Sequence, residues 1–424
     1  MGLSIGILFL FLPLIYLPGV FNPYEFPKFI VFVAAVLILI MLSIGRFWSP
    51  PRFALSPQND GKLKASKLDL LAVLMIVYGL VVYIANIFGI DPKTSFLGSP
   101  FRHQGFITLL AGIGLFFLLK YNFYNGYKNY KDYIRWILLG AFLVSVIAIW
   151  QGINVYIFHN LTIPTYQGRI VGTMGNPNSL AGYLAIVLPF VLFNKNKIIK
   201  LVLSLMIVAV VILTDSRSAF LAVGFIFAVY GIRRILKLNI SRIAKVFIIV
   251  LIFVGIVKFV DYSLHKNTIN NQAPVISERG CPESWPIEYP LKFTSDIYNS
   301  KIFYTEREAL CDNRFLIGVV GLQALSKRPI LGYGQENFEI AVSAGKMHAA
   351  DNAHNIFLET AMSSGLIGLF IFLEILFIAF KKSSFVVRMS LLSFLIIAQF
   401  NPLSIVEIML LWFLLGLVHE EYFV

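Results

Sequence analysis

Charge is what this sequence has least of. Only 13% of its 424 residues are Asp, Glu, Lys or Arg, about half the share of a soluble globular domain. A chain this poor in charge, 58% hydrophobic and with mean hydropathy +0.79, cannot hide its apolar surface in one water-soluble core. The signatures of soluble enzymes are missing too. There is no glycine-rich phosphate loop and no zinc-type Cys/His spacing. Residues 3–18 are apolar, but no Lys or Arg precedes them and no small-residue cleavage site follows, so they read as a first span rather than a cleaved signal. No internal repeat is evident.

What the sequence has is long apolar runs. A membrane helix needs roughly 20 apolar residues. Runs and breaks place spans at about 3–20, 28–45, 68–88, 105–119, 136–156, 178–193, 198–213, 217–231, 244–260, 354–380, 385–400 and 403–418. The expectation is an all-α polytopic membrane protein of about twelve helices. The net charge of +13 then needs no nucleic acid to explain it. With the N-terminus in the cytoplasm, the inner connections hold twenty Lys and Arg and the short outer ones five, counting Lys28, Lys93, Arg102, Arg169 and Arg217. Both termini are therefore expected in the cytoplasm.

One connection differs. Residues 261–353 are long and carry ordinary soluble charge, with nine Lys/Arg and ten Asp/Glu from 262 to 352. They read as a small extracytoplasmic domain between a 1–260 helical unit and a 354–424 one. An amphipathic helix is expected near 313–327, ended by Pro329. Cys281 and Cys311 both fall in this segment. Two readings stand for them: a disulfide in an oxidising compartment, or two free thiols in an anaerobe.

Ionisable residues within or beside spans are costly and mark function. Asp215, Arg217, Lys258, His354, Glu359 and Glu407 all gather at the expected outer helix ends, and only Glu374 lies nearer the cytoplasmic side. Snorkelling accounts for Lys258. Arg217 lies in the tight junction Thr214-Asp215-Ser216-Arg217-Ser218. It either pairs with Asp215 or offers a permanent cation beside a helix N-terminus, a combination suited to phosphate. Arg314 opens the expected loop helix, and Arg328 precedes Pro329. His354 has an imidazole suited to proton transfer near neutral pH. Gly365, eleven residues on, would let another helix approach closely. Arg102 in the turn 99–105 and Arg169 ahead of Asn176-Pro177-Asn178 are further outer candidates; plain interfacial turns are their alternative.

These features together resemble the O-antigen ligase and O-antigen polymerase superfamily of bacterial envelope glycosyltransferases. The residues that carry the resemblance are Arg169 and Gly172 followed by residues 176–181; Ser216-Arg217-Ser218-Ala219; Arg314 leading to residues 328–334; and His354-Asn355 with Leu358 and Gly365. A Trp common in the family a few residues after the loop Arg is replaced here by the stretch 315–319, and the large C-terminal extension of protein-glycosylating ligases is missing.

The resemblance implies a fold like the C-type glycosyltransferases and transfer of a glycan, outside the bacterial cytoplasmic membrane, from a polyprenyl-diphosphate carrier to a hydroxyl on a glycan or lipid-glycan acceptor. It implies Arg217 and Arg314 as diphosphate ligands and His354 as the residue that binds or deprotonates the acceptor. Arg169, Arg102, Arg328, Asp215 and Glu359 are secondary candidates. No cofactor or metal is expected. Chemically, a diphosphate leaving group needs fixed cations rather than a general acid. One attack inverts the anomeric carbon, and the scarcity of paired outer carboxylates speaks against a retaining site. A transporter or flippase for lipid-linked oligosaccharides is the alternative. Such proteins place polar sites near the midplane on broken helices, and Glu374 is the residue that favours it.

Overall fold

The computed structural model describes residues 2–47, 69–124, 130–159, 162–236, 314–343 and 351–418. The expected ninth span at 244–260, Lys258, the bulk of the 261–353 segment and Cys281 with Cys311 lie outside the described residues.

Almost every described apolar run forms a helix, because in lipid a backbone can satisfy its own N–H and C=O groups only that way or in a closed barrel. In chain order these are α1 (Gly2–Phe11, followed by a 3₁₀ turn at Leu12–Leu14), α2 (Glu25–Phe47), α3 (Leu70–Ile87), α4 (Pro92–Leu97), α5 (Phe106–Tyr124) and α6 (Tyr130–Tyr156). A two-residue hairpin, β1 (Thr165–Tyr166) with β2 (Arg169–Ile170), precedes α7 (Pro177–Leu192), α8 (Lys197–Thr214) and α9 (Arg217–Leu236). After the gap come α10 (Arg314–Lys327), α11 (Phe338–Ser343), α12 (Ile356–Lys382), α13 (Phe385–Ala398) and α14 (Ile405–Gly416).

Six of these helices are long and apolar enough to cross a membrane, and the others at the expected span positions are shorter apolar helices. Their outward faces stay apolar: Leu37, Ile38 and Met41 on α2 and Ile198, Leu201, Leu205 and Ile212 on α8 are all exposed. A face of that kind is stable against lipid and not against water. The protein is a helical membrane protein.

Helix α7 is the centre. From Ser179 to Leu192 every residue is buried, as an all-round apolar helix must be. It packs against α8, α9, α13 and α14. Elsewhere α3 lies along α12, α1 along α6, and α14 along α5.

Lys28 is not in an outer connection as its place among the loop cations assumed. It lies inside α2, 0% exposed. Its ammonium donates to the Thr173 carbonyl at 2.7 Å. A buried Lys needs such an acceptor, and it is better counted as a tie between α2 and the loop before α7.

Helix α12 is broken at Gly365, whose φ of 69° and ψ of −174° are non-helical. That region of backbone space is essentially open to glycine alone. The break is filled by the loop after α10. The Leu366 N–H donates to the Pro329 carbonyl at 2.7 Å, the Tyr333 N–H to Met362 at 2.7 Å and the Gly334 N–H to Ser363 at 3.0 Å. Gly332, at φ 69°, faces the same break, and a Cβ there would run into the Met362 carbonyl. What Gly365 admits is therefore a loop backbone rather than a second helix. Tyr333 locks the loop from the other side, donating its hydroxyl to the Ala324 carbonyl of α10 at 2.6 Å. Helix α10 itself is the one expected near 313–327, with Ile317, Ala324 and Leu325 buried in a cluster that includes Ala361 and Met362 of α12.

A methyl group at Gly365 meets the Ile330 carbonyl in a conformation closed to Ala. We expect Gly365→Ala to cost at least about 2–3 kcal/mol, read as a clear fall in Tm of the detergent-purified protein. Gly224, in α9 with nothing within 4 Å of a built Cβ, is the control. Gly224→Ala should hold or raise Tm, since Ala exceeds Gly in a helix by about 0.5–1 kcal/mol. Equal melting of Gly365→Ala and the wild type would refute the clamp.

Candidate functional site

Three helix ends bring the expected residues towards one turn. Helix α8 ends at Thr214, and Asp215 caps it in the left-handed conformation (φ 48°, ψ 39°). The chain reverses through Ser216, whose carbonyl accepts from the Phe220 N–H at 2.9 Å. Arg217 is thus the first residue of α9. Arg217 is exposed, while Ser216 and Ser218 on either side of it are buried.

The second end is that of α12. Asn355 is its N-cap, with Oδ1 accepting from the Phe357 and Leu358 N–H groups at 3.0 Å each. A cap of this sort satisfies helix donors that have no partner within the helix. His354 precedes it at φ 51°, an uncommon value for a residue with a Cβ. The Asn352 side chain supports that turn by accepting from the His354 N–H at 2.7 Å, and Glu359 reaches back to the Ala353 N–H at 2.9 Å. Glu359 thus holds the histidine turn in place.

The third element is the turn between α13 and α14, which the sequence reading passed over. Pro402 stops α13 from continuing, leaving Gln399 and Asn401 in a short polar link among apolar runs. Gln399 Oε1 accepts from Asn355 Nδ2 at 2.6 Å. Asn401, 4% exposed, donates from Nδ2 to the Ser218 hydroxyl and, at 3.4 Å, to the Ile397 carbonyl. Its Oδ1 faces Arg314, which donates from a terminal guanidinium nitrogen at 3.5 Å. One turn therefore touches Arg314 directly, Arg217 through its neighbour Ser218, and His354 through its neighbour Asn355. Ser404 follows as the N-cap of α14 in a reciprocal capping box with Glu407. The signal that could have found this turn is Gln-x-Asn-Pro followed by Ser-x-x-Glu between two apolar runs.

A collar of loops surrounds the turn. Gln104 donates to the Leu403 carbonyl, and Glu25 accepts from the Ile405 N–H at 2.9 Å. Arg102 donates through Nε at 3.0 Å and a terminal nitrogen at 2.6 Å to one oxygen of Asp351. Its side chain is 12% exposed and that of Asp351 49%. Burial alone would raise the Asp351 carboxyl, but the charge and hydrogen bonds of Arg102, with the charge of His354 behind them, outweigh burial and hold it below its usual range. Glu336 accepts from the backbone N–H groups of Ser99 and Gln104. Its burial outweighs these bonds and the Arg102 charge, so its carboxyl is raised.

The remaining secondary candidates make other contacts. Arg169 is on β2 and Asp215 at the end of α8. Both lie within electrostatic reach of Tyr156, whose hydroxyl donates to the Gly168 carbonyl at 3.0 Å. Arg328 donates to the Phe88 carbonyl at 3.3 Å and lies 5.3 Å from the centre of the Tyr333 ring. That contact sets it at the end of α3, serving the clamp around Gly365.

Comparison with known proteins adds one finding. Residues 201–373 match the O-antigen ligase family. The matched segment holds Arg217, Arg314 and His354, while Gln399 and Asn401 fall beyond it. No curated protein matches the chain.

Asp351 has a lowered folded-state pKa, so its pairing with Arg102 stabilises the fold above the ordinary value of 3.8. That contribution is lost as pH falls through the lowered value. We expect Asp351→Asn to cost about 1 kcal/mol near neutral pH, the range for a half-exposed pair. The gap to wild type should close below about pH 4. Thermal melts of both proteins across that range check this; a gap that widens in acid contradicts it.

Proposed function

The chain belongs to the O-antigen ligase superfamily, and on that premise we propose that it transfers a glycan from a polyprenyl-diphosphate carrier to an acceptor hydroxyl at the outer face of the bacterial cytoplasmic membrane, with inversion. The family's chemistry is glycan transfer of the O-antigen ligase or polymerase type. The observation that carries the finer reading is the α13–α14 turn, through which Arg217, Arg314 and His354 are tied to one another by Ser218, Asn401, Gln399 and Asn355.

In this reading the acceptor oxygen attacks the anomeric carbon and the bond to the diphosphate breaks. Negative charge grows on the departing phosphate oxygens. Arg217 and Arg314 bind those oxygens and stabilise that charge, and guanidinium groups suit the task because they stay protonated and present paired donors. His354 takes the acceptor's proton as the new bond forms. The Asn352 bond to its backbone N–H sets His354 at the start of α12, next to the Asn355 cap that Gln399 holds. Asp351, three residues before it and paired with Arg102, lies close enough to His354 to feel its charge.

The transporter alternative, favoured in the sequence by Glu374, also has to be weighed against the broken helix α12. In transporters such breaks line a cavity. Here residues 329–334 of the same chain take the freed groups of Met362, Ser363 and Leu366, which favours the transferase.

The test is substitution of the three residues in a strain lacking the native copy. Arg217→Ala, Arg314→Ala and His354→Ala should each lower transferred glycan by about 100-fold or more, with lipid-linked donor accumulating. Arg217→Lys should recover little, because an ammonium lacks the paired geometry. Protein level in the membrane is the control. Full transfer by both His354→Ala and Arg217→Ala would overturn the mechanism, and translocation of donor without transfer in proteoliposomes would favour the transporter.

A further inference from the structure

We propose that Asn401 is a positioning residue of the diphosphate site, aiming the Arg314 guanidinium and fixing its distance from Arg217. This rests on the reading of Arg217 and Arg314 as diphosphate ligands and adds the group that holds them in register.

The argument starts from burial. Asn401 is 4% exposed, and an amide so enclosed must satisfy its donors and acceptor within the protein. Its Nδ2 lies against the Ile397 carbonyl at 3.4 Å. A carbonyl only accepts, so the amide nitrogen must face it and cannot be exchanged with Oδ1. The same nitrogen donates to Ser218, the residue after Arg217. Oδ1 is then turned to Arg314, at 3.5 Å from its terminal nitrogen. The amide therefore bridges the start of α9 and the start of α10, the two helices that carry the cations. Arginine loses much rotamer freedom when it is held in one geometry. A fixed neutral acceptor on one nitrogen pre-orders the guanidinium without neutralising it. Its other donors stay directed by the same plane. A carboxylate in that place would compete with the phosphate for the charge; the amide does not. The same turn carries Gln399, which holds Asn355 beside His354, so the donor side and the acceptor side share one rigid frame.

The experiment is a double-substitution cycle on the full chain in nanodiscs, with farnesyl diphosphate as probe and Kd and Tm as readouts. Asn401→Ala should weaken farnesyl diphosphate about tenfold, and it should add less than about twofold in an Arg314→Ala background, because an effect exerted through Arg314 vanishes when Arg314 is gone. Asn401→Asp places a carboxylate oxygen against the Ile397 carbonyl and should lower Tm, and it should weaken the probe about tenfold, since the new carboxylate takes up the cation. Equal weakening by Asn401→Ala in both backgrounds would show an independent, structural effect and overturn the proposal, as would unchanged Kd. If Asn401→Ala does not fold, Asn401→Asp decides: a folded protein with unchanged Kd overturns the proposal and one with weakened Kd supports it. Failure of the underlying reading looks different. There Arg217→Ala and Arg314→Ala would themselves leave the Kd for farnesyl diphosphate unchanged.

Discussion

Backbone hydrogen bonds between residues 329–334 and the break in α12 hold α10 and α12 together. A helix interrupted within an apolar bundle leaves N–H and C=O groups with no water to take them. Here the loop after α10 supplies the partners, from Pro329, Tyr333 and Gly334 to Met362, Ser363 and Leu366. The fit is backbone against backbone, so it tolerates no side chain at Gly365 and little at Gly332. It has a positional consequence. Helix α10, which begins with Arg314, ends just before the loop, and α12 begins just after His354. The clamp therefore sets the cation of one segment and the imidazole of another in a common frame.

Around that frame the polar groups are economical. Among the described residues the ion pairs include Arg102 with Asp351, Lys120 with Asp69 and Arg135 with Asp132. Capping amides and carboxyls do most of the joining instead: Asn355 and Gln399, Asn401 and Ser218, Glu359 and Ala353, Glu25 and Ile405. This is sensible chemistry among apolar helices. An amide bonded at both ends costs little to bury, whereas a charge needs an opposite charge or a full set of donors. Charge is retained in Arg102 with its carboxylate neighbours, which stitch the 99–105 turn to the histidine turn, and in the two arginines proposed to bind substrate.

Much of the fold was legible because apolar runs and their breaks are unambiguous. The helix at Arg314–Lys327 and its stop before Pro329, the start of α9 at Arg217 and the helix after His354 all follow from capping residues and proline. What was hidden has physical reasons. Lys28 sits at the edge of an apolar run, and nothing in the string says whether its ammonium meets water or the Thr173 carbonyl. Gly365 announced close approach, yet a single glycine does not reveal whether a helix or a loop will come near, nor that its own φ turns positive. Gln399 and Asn401 were missed because uncharged polar residues between two spans look like ordinary turn chemistry. Their partners, Asn355, Ser218 and Arg314, are 44, 183 and 87 residues away. A pairing at that range leaves no local trace.

The account's central claim is that one diphosphate lies between the guanidinium groups of Arg217 and Arg314 and faces His354. The most direct measurement is a cryo-EM structure of the full chain in nanodiscs with farnesyl diphosphate bound. The account predicts phosphate oxygens within about 2.7–3.0 Å of both guanidinium groups, with Asn401 still on the flank of Arg314. Diphosphate density elsewhere in the bundle, or the two arginines turned away from each other with the ligand bound, would contradict it.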